Sequence, residues 1–263
     1  REKTFLGRIN FDIILGLIIH QPRIAIITSY TSFTNLIILL LSPFLKTKIC
    51  LRAEGGLIGR PWLRNRATIA RKLIDWLINR ADYYFYSCED NKKYFQVRGV
   101  KSEKLYPLLS SVDSEYFSTS YNSKKINYEY FIIASKLEKR KNIIEAILAY
   151  KEYIKIKFNS ANNCPRLLIV GIGPQFSFLK ESANSNIVFH DYVHDKEQMR
   201  GLIQGSLGLV MSSLYDPVPK IVNEAIACSK PVLLRDTVGF AGDFIEHKKN
   251  GYIYHSEKKE DMI

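Results

Sequence analysis

The chain has 263 residues, 46% of them apolar, which is enough to fill the cores of two ordinary domains and excludes a disordered protein. Its four cysteines stand apart in sequence, which excludes a disulfide framework and a paired-cysteine zinc site and favours a reducing compartment. The formal net charge is +12, and the larger basic excess falls in residues 1–120. This favours an anionic partner, such as a membrane surface, a lipid diphosphate or a nucleic acid, although a solvated basic face explains the charge equally well.

In the first part of the chain, short apolar runs alternate with helix-like stretches. The run NLIILLLSPFL at 35–45 is too short to cross a bilayer and contains Pro43, so it predicts a buried helix. RKLIDWLINRA predicts a longer helix, and DYYFY, which follows it, predicts a buried strand. Tyr83, Tyr84 and Tyr86 would serve a nucleic-acid binder as stacking platforms, but the buried strand is the simpler interpretation.

From Phe131 onward the alternation is regular. YFIIAS, RLLIVG, NIVFHDY, LGLVMS and KPVLLRD read as strands, and a helix-like stretch separates each from the next. This pattern is typical of an α/β fold with a parallel sheet, whose binding sites lie at the carboxyl ends of the strands. The polar stretch 114–130 predicts a linker, so the sequence predicts two α/β domains, 1–116 and 117–263, with a cleft between them.

Two carboxylates flank the start of a predicted helix in YDPVPKIVNEAIACSKPV. Asp216 precedes Pro219, which suits the first turn of a helix, and Glu224 lies just beyond one turn into it. We expect the two carboxylates to lie roughly 7 to 15 Å apart, a gap that fits the distance from a sugar to a ribose across a diphosphate. Carboxylates bind vicinal diols and a helix N-terminus favours an anion, so the pair predicts a nucleotide-sugar site. The alternative is a helix cap at Asp216 and a solvated glutamate at Glu224.

Two lysines follow the predicted strand FIIAS in the stretch ASKLEKRKNI. Lys136 comes just after the strand, and Lys141 stands at the start of the next helix. A leaving diphosphate needs positive charge from a metal or from fixed cations. The chain has no Asp-x-Asp pair, and its histidines show no metal-ligand spacing. We therefore expect these lysines to act without a metal or other cofactor, the alternative being a solvated basic turn.

Together these residues resemble the retaining glycosyltransferases of family 4, which have the GT-B fold of two facing Rossmann-like domains. The family pattern of Glu, seven residues, Glu is similar to Asp216 to Glu224 followed by AIACSKPV, and its Gly-Arg-Leu-x-x-x-Lys stretch is similar to SKLEKRK. KLYPLLSSVDSEYF, LLIVGIGP, NIVFHDYV and VGFAGDFIEHKKNGYIY fall in family order. The resemblance covers nearly the whole chain and implies an α/β protein of GT-B architecture with an incomplete N-terminal domain.

The resemblance also implies an activity. Such an enzyme is a hexosyltransferase of class EC 2.4, which moves a hexose from a nucleotide sugar to a glycan or lipid-diphosphate-linked acceptor in surface polysaccharide synthesis. It retains the anomeric configuration, needs no metal and uses no protein nucleophile. The implied location is the cytoplasm, including the inner face of the cytoplasmic membrane, and no nucleic-acid partner is expected.

Residue roles follow from the resemblance position by position. Glu224 would bind the ribose hydroxyls, Asp216 the hydroxyls of the transferred sugar, and Lys136 with Lys141 the diphosphate. The base would pack against Tyr192 and Val193, and the backbone at the start of the helix would contribute to the donor site through Val218, Pro219, Lys220 and Ile221. On the acceptor side, the candidates are the loop charges Glu54, Arg60, Arg64 and Arg66.

The sequence departs from the family pattern at several points. Asp216 stands for a glutamate, and Lys136 stands for an arginine and loses bidentate phosphate geometry. The N-terminal strand with its Gly-rich loop and the closing C-terminal helix are not found, and the first residue is Arg1, so we expect a fragment of a longer protein. GIGP reads as a tight strand-to-helix turn rather than a dinucleotide fingerprint.

Two other classes of function stay open at this point. A non-catalytic, degenerate glycosyltransferase-like subunit or a basic nucleic-acid or membrane binder would also fit the charge of +12. A sugar epimerase would fit the same fold and would need no acceptor.

Overall fold

The computed structural model consists of two compact units, Arg1–Leu109 and Ser110–Ile263. Both are α/β units with parallel sheets, as the sequence predicted. The structure describes residues 10–57, 69–120, 126–158, 164–239, 241–255 and 262.

The first unit is built on a four-stranded parallel sheet of order β1-β2-β3-β4. Its described elements are α1 (Phe11–His20), β1 (Ile24–Ile27), α2 (Phe33–Leu41), a 3₁₀ turn (Ser42–Phe44), β2 (Lys48–Arg52), α3 (Ile69–Ile78), β3 (Tyr83–Tyr86), α4 (Glu89–Val97), a second 3₁₀ turn (Ser102–Lys104) and β4 (Leu105–Pro107).

Local sequence explains where the first helices begin. The Asn10 side chain accepts from the amides of Asp12 and Ile13, and Ser32 caps α2 in the same way. The predicted buried helix at 35–45 is confirmed as α2 followed by a 3₁₀ turn, with Ile38 and Leu39 in the core. The predicted strand DYYFY is confirmed as β3.

The second unit contains a six-stranded parallel sheet of order β10-β9-β8-β5-β6-β7. Its described elements are α5 (Ser114–Ser118), β5 (Tyr130–Ala134), a 3₁₀ turn (Lys139–Lys141), α6 (Ile143–Lys157), β6 (Arg166–Val170), α7 (Phe176–Glu181), β7 (Ile187–His190), α8 (Lys196–Gly205), β8 (Gly208–Met211), α9 (Lys220–Ala227), β9 (Val232–Arg235) and β10 (Gly251–Tyr254).

The strand order of the second sheet decides which loops can meet. β5 pairs with β6 on one side and with β8 on the other, although β6 and β7 lie between β5 and β8 in sequence. Both central strands are almost continuously apolar and buried, as expected for a parallel sheet covered by helices. The loops after β5 and β8 therefore leave the same edge of the sheet side by side.

The predicted linker at 114–130 is wrong in its first part. Residues 114–118 form helix α5, which the side chain of Asp113 caps at Tyr116. The Arg200 guanidinium donates to the carbonyl oxygen of Tyr116, and the Gln204 amide donates to that of Phe117. These contacts to α8 bind the segment to the second unit, and its polar composition did not reveal them.

Candidate functional site

The carboxyl-end edge of the second sheet brings Lys141 and Asp216 together. The Lys141 ammonium donates to Oδ2 of Asp216, and the two side chains are only 13% and 11% exposed. Arg140 lies at the rim, where its guanidinium is 3.9 Å from the same carboxylate oxygen and 3.1 Å from Glu138. Two residues that the sequence singled out, 75 positions apart, thus form a nearly buried ion pair.

Hydrogen bonds between the loops after β5 and β8 hold this pair in place. Ser212, just after β8, is buried, and its hydroxyl lies 3.2 Å from the carbonyl oxygen of Lys141 and 3.0 Å from that of Asn142. The Leu214 amide donates to the carbonyl oxygen of Arg140 over 2.9 Å. The position of Lys141 is therefore set by the end of β8 as well as by its own loop.

A second ion pair supports the turn that carries Lys141. Asn142 has a φ of 50° and ends the 3₁₀ turn where α6 begins. Its side-chain amide donates to Oε2 of Glu145, and the Arg235 guanidinium, at the end of β9, donates to the same oxygen over 2.5 Å. Glu145 and Arg235 are 13% and 11% exposed, so this pair is as enclosed as the first.

Asp216 is fixed from its other side by the segment that follows β9. Its carbonyl oxygen accepts from the Gly239 amide over 2.8 Å, and it forms an isolated parallel bridge with Val238. A Cβ on Gly239 would lie 2.1 Å from the carbonyl oxygen of Pro217, so glycine is required there. The alternative in which Asp216 only caps the helix is wrong, because Pro219 is the N-cap residue and Asp216 pairs with Lys141.

Glu224 lies in α9, one turn beyond the helix start, with its side chain partly buried. Burial raises the pKa of its carboxyl group, and the charges of Lys220 and Lys196 oppose that rise. Among the described residues, no hydrogen bond or salt bridge reaches this carboxylate. Its hydrogen-bonding capacity is therefore available to a ligand.

Four other predicted residues lie around the start of α9. Pro219 is buried, Lys220 is exposed, and Val218 and Ile221 are intermediate. Pro219 precedes the helix rather than occupying its first turn, and none of the described side chains caps the helix there. Since the first amides of a helix have no intrahelical acceptor, this N-terminus can donate to an anion.

Lys136 lies in the loop after β5, and its side chain is exposed. The GIGP segment holds this loop by a close backbone contact, since the Leu137 amide donates to Ile172 and the Gln175 amide donates to Leu137. Gly171 has a φ of +144°, and a Cβ there would lie 2.0 Å from the carbonyl oxygen of Ser135. The predicted strand-to-helix turn is confirmed, and its glycines allow the Lys136 loop to approach.

Tyr192 and Val193 follow β7 at the same sheet edge. The Val193 side chain is buried, whereas Tyr192 is 52% exposed and its ring stacks edge-on against His194 with centroids 4.6 Å apart. An exposed aromatic ring beside a buried aliphatic residue is compatible with packing against a base, and their predicted role stays a prediction.

In the first unit, Glu54 lies in the loop after β2 and is exposed. Helix α4 fixes this loop: the Asp90 carboxylate accepts from the Leu57 amide at 3.1 and 3.0 Å, and the Asn91 amide donates to the carbonyl oxygens of Ala53 and Gly55. The other acceptor-side candidates lie outside the described residues, namely Arg60, Arg64 and Arg66.

The described residues contain neither a metal-binding cluster nor a helix that could span a membrane. They contain no group of three or more His, Cys, Asp or Glu side chains arranged to hold a metal ion. None of their helices is long and apolar enough to span a bilayer. A reaction without a metal or other cofactor stays a prediction.

The arrangement suits a ligand with an anionic centre and a hydroxyl-rich group at each end. Lys141, Lys136 and the start of α9 supply positive charge along one edge. Asp216 and Glu224 supply carboxylates on either side of that helix start. Sequence reasoning missed the residues that position Lys141, which are Ser212, Asn142, Glu145 and Arg235.

Comparison with known proteins agrees with this fold. The sucrose-phosphate synthase of Thermosynechococcus elongatus superposes with a TM-score of 0.77 at 14% identity, covering 100% of this chain and 68% of that one. Alr3699/HepE of Anabaena, in complex with UDP, gives 0.74 at 15% identity over 96% and 69%. The lipopolysaccharide outer core galactosyltransferase WaaB gives 0.71 at 15% identity over 95% and 67%. These likenesses show the GT-B fold, and the chain spans about two thirds of the length of each protein.

The family follows from the sequence of the second unit. No curated protein sequence gives a significant match. The model of the family described as "Glycosyl transferases group 1" matches residues 119–263, which is more than half of the chain and contains Lys141, Asp216 and Glu224. The chain therefore belongs to the glycosyl transferases group 1 family.

Proposed function

We propose that this chain is part of a retaining hexosyltransferase of glycosyltransferase family 4 that works without a metal or other cofactor. It transfers a hexose from a nucleotide sugar to a glycan or lipid-diphosphate-linked acceptor in surface polysaccharide synthesis. Residues 117–263 bind the donor, and residues 1–116 form the acceptor side. The protein works in the cytoplasm or on the inner face of the cytoplasmic membrane.

One observation carries the proposal: an ion pair lies before the start of α9, and a carboxylate that no described residue pairs with lies one turn into that helix. Lys141 and Asp216 form the pair, and Glu224 stands one turn into α9. In the proposed complex, Glu224 accepts hydrogen bonds from the ribose hydroxyls and Asp216 accepts them from the transferred hexose. The diphosphate lies between them, against Lys141, Lys136 and the first amides of α9.

The Lys141–Asp216 pair is compatible with both roles. An ammonium group carries three donors and a carboxylate accepts through two oxygens, so one hydrogen bond between them leaves capacity on each side. Lys141 can therefore donate to a phosphate oxygen while it still orients Asp216. A fixed cation of this kind stabilises charge where it develops and needs no rearrangement during the reaction.

The proposed chemistry is a front-face substitution. The bond between the anomeric carbon and the diphosphate oxygen breaks, and a bond from the acceptor oxygen forms on the same face of the sugar. The acceptor hydroxyl gives its proton to an oxygen of the leaving diphosphate, while the lysines and the helix start stabilise the negative charge that develops there. Configuration is retained without a covalent intermediate on the protein.

The neighbours suggest which nucleotide to test first. HepE was solved with UDP and with UDP-glucose, and an E. coli trehalose-6-phosphate protein was solved with UDP-2-fluoro glucose. At 12% to 16% identity these likenesses show a shared fold alone, so experiment must identify the base and the sugar. UDP is the first nucleotide to titrate, followed by GDP, ADP and dTDP.

Isothermal titration calorimetry in buffer containing a metal chelator tests the proposal. We expect one diphosphate to bind selectively, and Glu224→Ala to weaken it by about 10- to 100-fold, because hydrogen bonds to a charged group contribute about 1.5–3 kcal/mol. Circular dichroism confirms that each variant is folded. If no nucleotide binds to the folded protein, the proposal fails and the degenerate-subunit alternative is favoured. Nucleic-acid binding with a steep salt dependence would instead favour the basic binder.

A further inference from the structure

Arg140 lies in the 3₁₀ turn between β5 and α6, beside the pair that Lys141 forms with Asp216. Its side chain is 47% exposed, yet groups from two loops hold it. Its Nε donates to Glu138 over 3.1 Å, and its Nη1 donates to the carbonyl oxygen of Tyr215 over 3.4 Å. Nη1 also lies 3.9 Å from Oδ2 of Asp216. The loop after β8 therefore contributes to the direction of this side chain, which an ordinary solvated arginine would not need.

The backbone of Arg140 is fixed to the same loop, and its guanidinium keeps donors for a ligand. The carbonyl oxygen of Arg140 accepts from the Leu214 amide over 2.9 Å. A guanidinium has five N–H donors, and the two hydrogen bonds of Arg140 use two of them. The contact to Asp216 is an ion pair beyond hydrogen-bond distance. Three donors are therefore left without an acceptor among the described residues, on a side chain that is nearly half exposed.

The proposed donor site indicates which part of a ligand would meet these donors. It assigns Glu224 to the ribose and Asp216 to the hexose, so Arg140, beside Asp216, lies nearest the phosphate that carries the hexose. We propose that Arg140 is a catalytic residue that donates to oxygens of this phosphate together with Lys141. The inference deepens the proposed function and rests on its donor site.

The chemistry of the guanidinium suits this role. Its planar fork donates to two phosphate oxygens in parallel, whereas an ammonium group acts as a point charge. Lys136 has only an exposed ammonium, so Arg140 is the residue of this loop that offers the fork. As the bond from the anomeric carbon breaks, its electron pair passes to the phosphate oxygen. A guanidinium that is already held in place stabilises that charge without rearrangement.

The alternative is that Arg140 acts only as a nearby positive charge. Lys139, in the same 3₁₀ turn, is the matched comparison, because its side chain is exposed and has no hydrogen bond or ion pair to a described residue. The two residues carry the same charge one position apart and differ in their contacts. An effect of charge alone should therefore appear at both positions, whereas direct contact should appear at Arg140 alone.

Calorimetric titration of UDP and UMP into the full chain tests the inference, because UMP lacks the phosphate that would carry the hexose. Arg140→Met should weaken UDP binding by about 10- to 100-fold, as for hydrogen bonds to a charged group, and UMP binding by less than about twofold. Arg140→Lys should restore only part of the UDP affinity, since the charge is kept and the fork is lost. Lys139→Met should change neither affinity by more than about twofold, because solvent and salt screen an exposed charge. If another base is selected, its diphosphate and monophosphate replace UDP and UMP.

The inference fails if Arg140→Met binds UDP as the natural chain does or loses UMP affinity to the same extent. It also fails if Lys139→Met loses as much UDP affinity as Arg140→Met. Full recovery in Arg140→Lys would contradict the contact to two oxygens. Circular dichroism and urea denaturation check that each variant keeps its fold.

Glu224→Ala separates this inference from the proposed function. It should weaken UDP and UMP binding alike, because both nucleotides carry the ribose. A loss in Glu224→Ala without a loss in Arg140→Met would overturn the inference alone. If the folded natural chain binds no nucleotide, the proposed function fails and the inference fails with it.

Discussion

The two lysines of the loop between β5 and α6 differ in how the protein holds them. Lys141 is nearly buried, pairs with Asp216 and stands in a turn that contacts from β8 and β9 support. Lys136 is exposed, and its loop is held by the buried Leu137 side chain and by backbone hydrogen bonds to the GIGP segment. Lys141 is fixed by side-chain contacts, whereas no described residue forms a hydrogen bond or ion pair with the side chain of Lys136.

The two carboxylates differ in the same way. Asp216 is ion-paired and fixed by the Gly239 amide, whereas the pKa of Glu224 is raised by burial and no described residue pairs with its carboxylate. The site therefore has a paired part, Lys141 and Asp216, and an open part, Lys136 and Glu224. Substitutions in the paired part should reduce both stability and binding, and substitutions in the open part should reduce binding without reducing stability.

The largest effect is expected from Gly171→Ala, which tests the backbone contact beneath the open part. The new Cβ would lie 2.0 Å from the carbonyl oxygen of Ser135, and φ is +144°. We expect the free energy of unfolding to fall by about 3 kcal/mol or more, because steric conflict adds to an unfavourable backbone conformation. Urea denaturation, monitored by circular dichroism, measures this free energy of unfolding.

The control is Gly242→Ala, where no heavy atom lies within 4 Å of the added Cβ. Its stability should stay within about 0.5 kcal/mol of the unchanged chain, as for an ordinary surface substitution. Equal stabilities for the two alanine variants would contradict the close approach of the GIGP segment to the Lys136 loop.

The next largest effect separates the two lysines. Lys141→Met leaves the nearly buried Asp216 carboxylate with only the more distant Arg140 guanidinium, 3.9 Å away, and we expect a loss of up to about 3 kcal/mol in unfolding free energy. Lys136→Met removes an exposed charge and should change stability by less than about 0.5 kcal/mol. Both variants should weaken nucleotide diphosphate binding, which calorimetry measures on the folded protein. Similar stability losses in both would abolish the distinction between the paired and open parts.

The sequence was sufficient for the order of strands and helices, because alternating apolar runs and amphipathic stretches carry that information locally. It also singled out Lys141 and Asp216, but their contact depends on β5 lying beside β8. That neighbourhood is a property of the whole sheet. Order along the chain alone would predict that β5 pairs with β6, as it does, but would not predict that β8 lies on the other side of β5.

The supporting contacts were beyond sequence reasoning for the same reason. Glu145 and Arg235 are 90 positions apart, and in sequence each is an ordinary charged residue near the end of an element. Only the strand order places β9 close enough for its last residue to contact the start of α6. Helix α5 was missed because polar residues without periodicity usually form loops, and here contacts to α8 override that local preference.

The smallest effect, and the most specific to the open part, is the pH dependence caused by Glu224. Burial raises its pKa in the folded state above the ordinary value, so the folded chain binds a proton more readily than the unfolded chain does. The contribution of Glu224 to the free energy of unfolding is fully present below the ordinary glutamate pKa. It is lost as the pH rises through the raised pKa. Between the ordinary and the raised pKa, the free energy of unfolding of the natural chain should therefore fall relative to that of Glu224→Gln. Above the raised pKa, the difference between the two proteins should be constant.

The ligand affinity should change with pH in the opposite direction over the same range, because the ribose hydroxyls need the ionised carboxylate as their acceptor. Below the raised pKa, the affinity of the natural chain should fall by about tenfold per pH unit relative to Glu224→Gln. Taking the ratio of the two affinities cancels the effect of diphosphate ionisation, which is common to both proteins. Urea denaturation and calorimetry over the acidic range measure the two slopes. If the affinity ratio does not change with pH, Glu224 does not contact the ligand, and its raised pKa reflects burial in the helix alone.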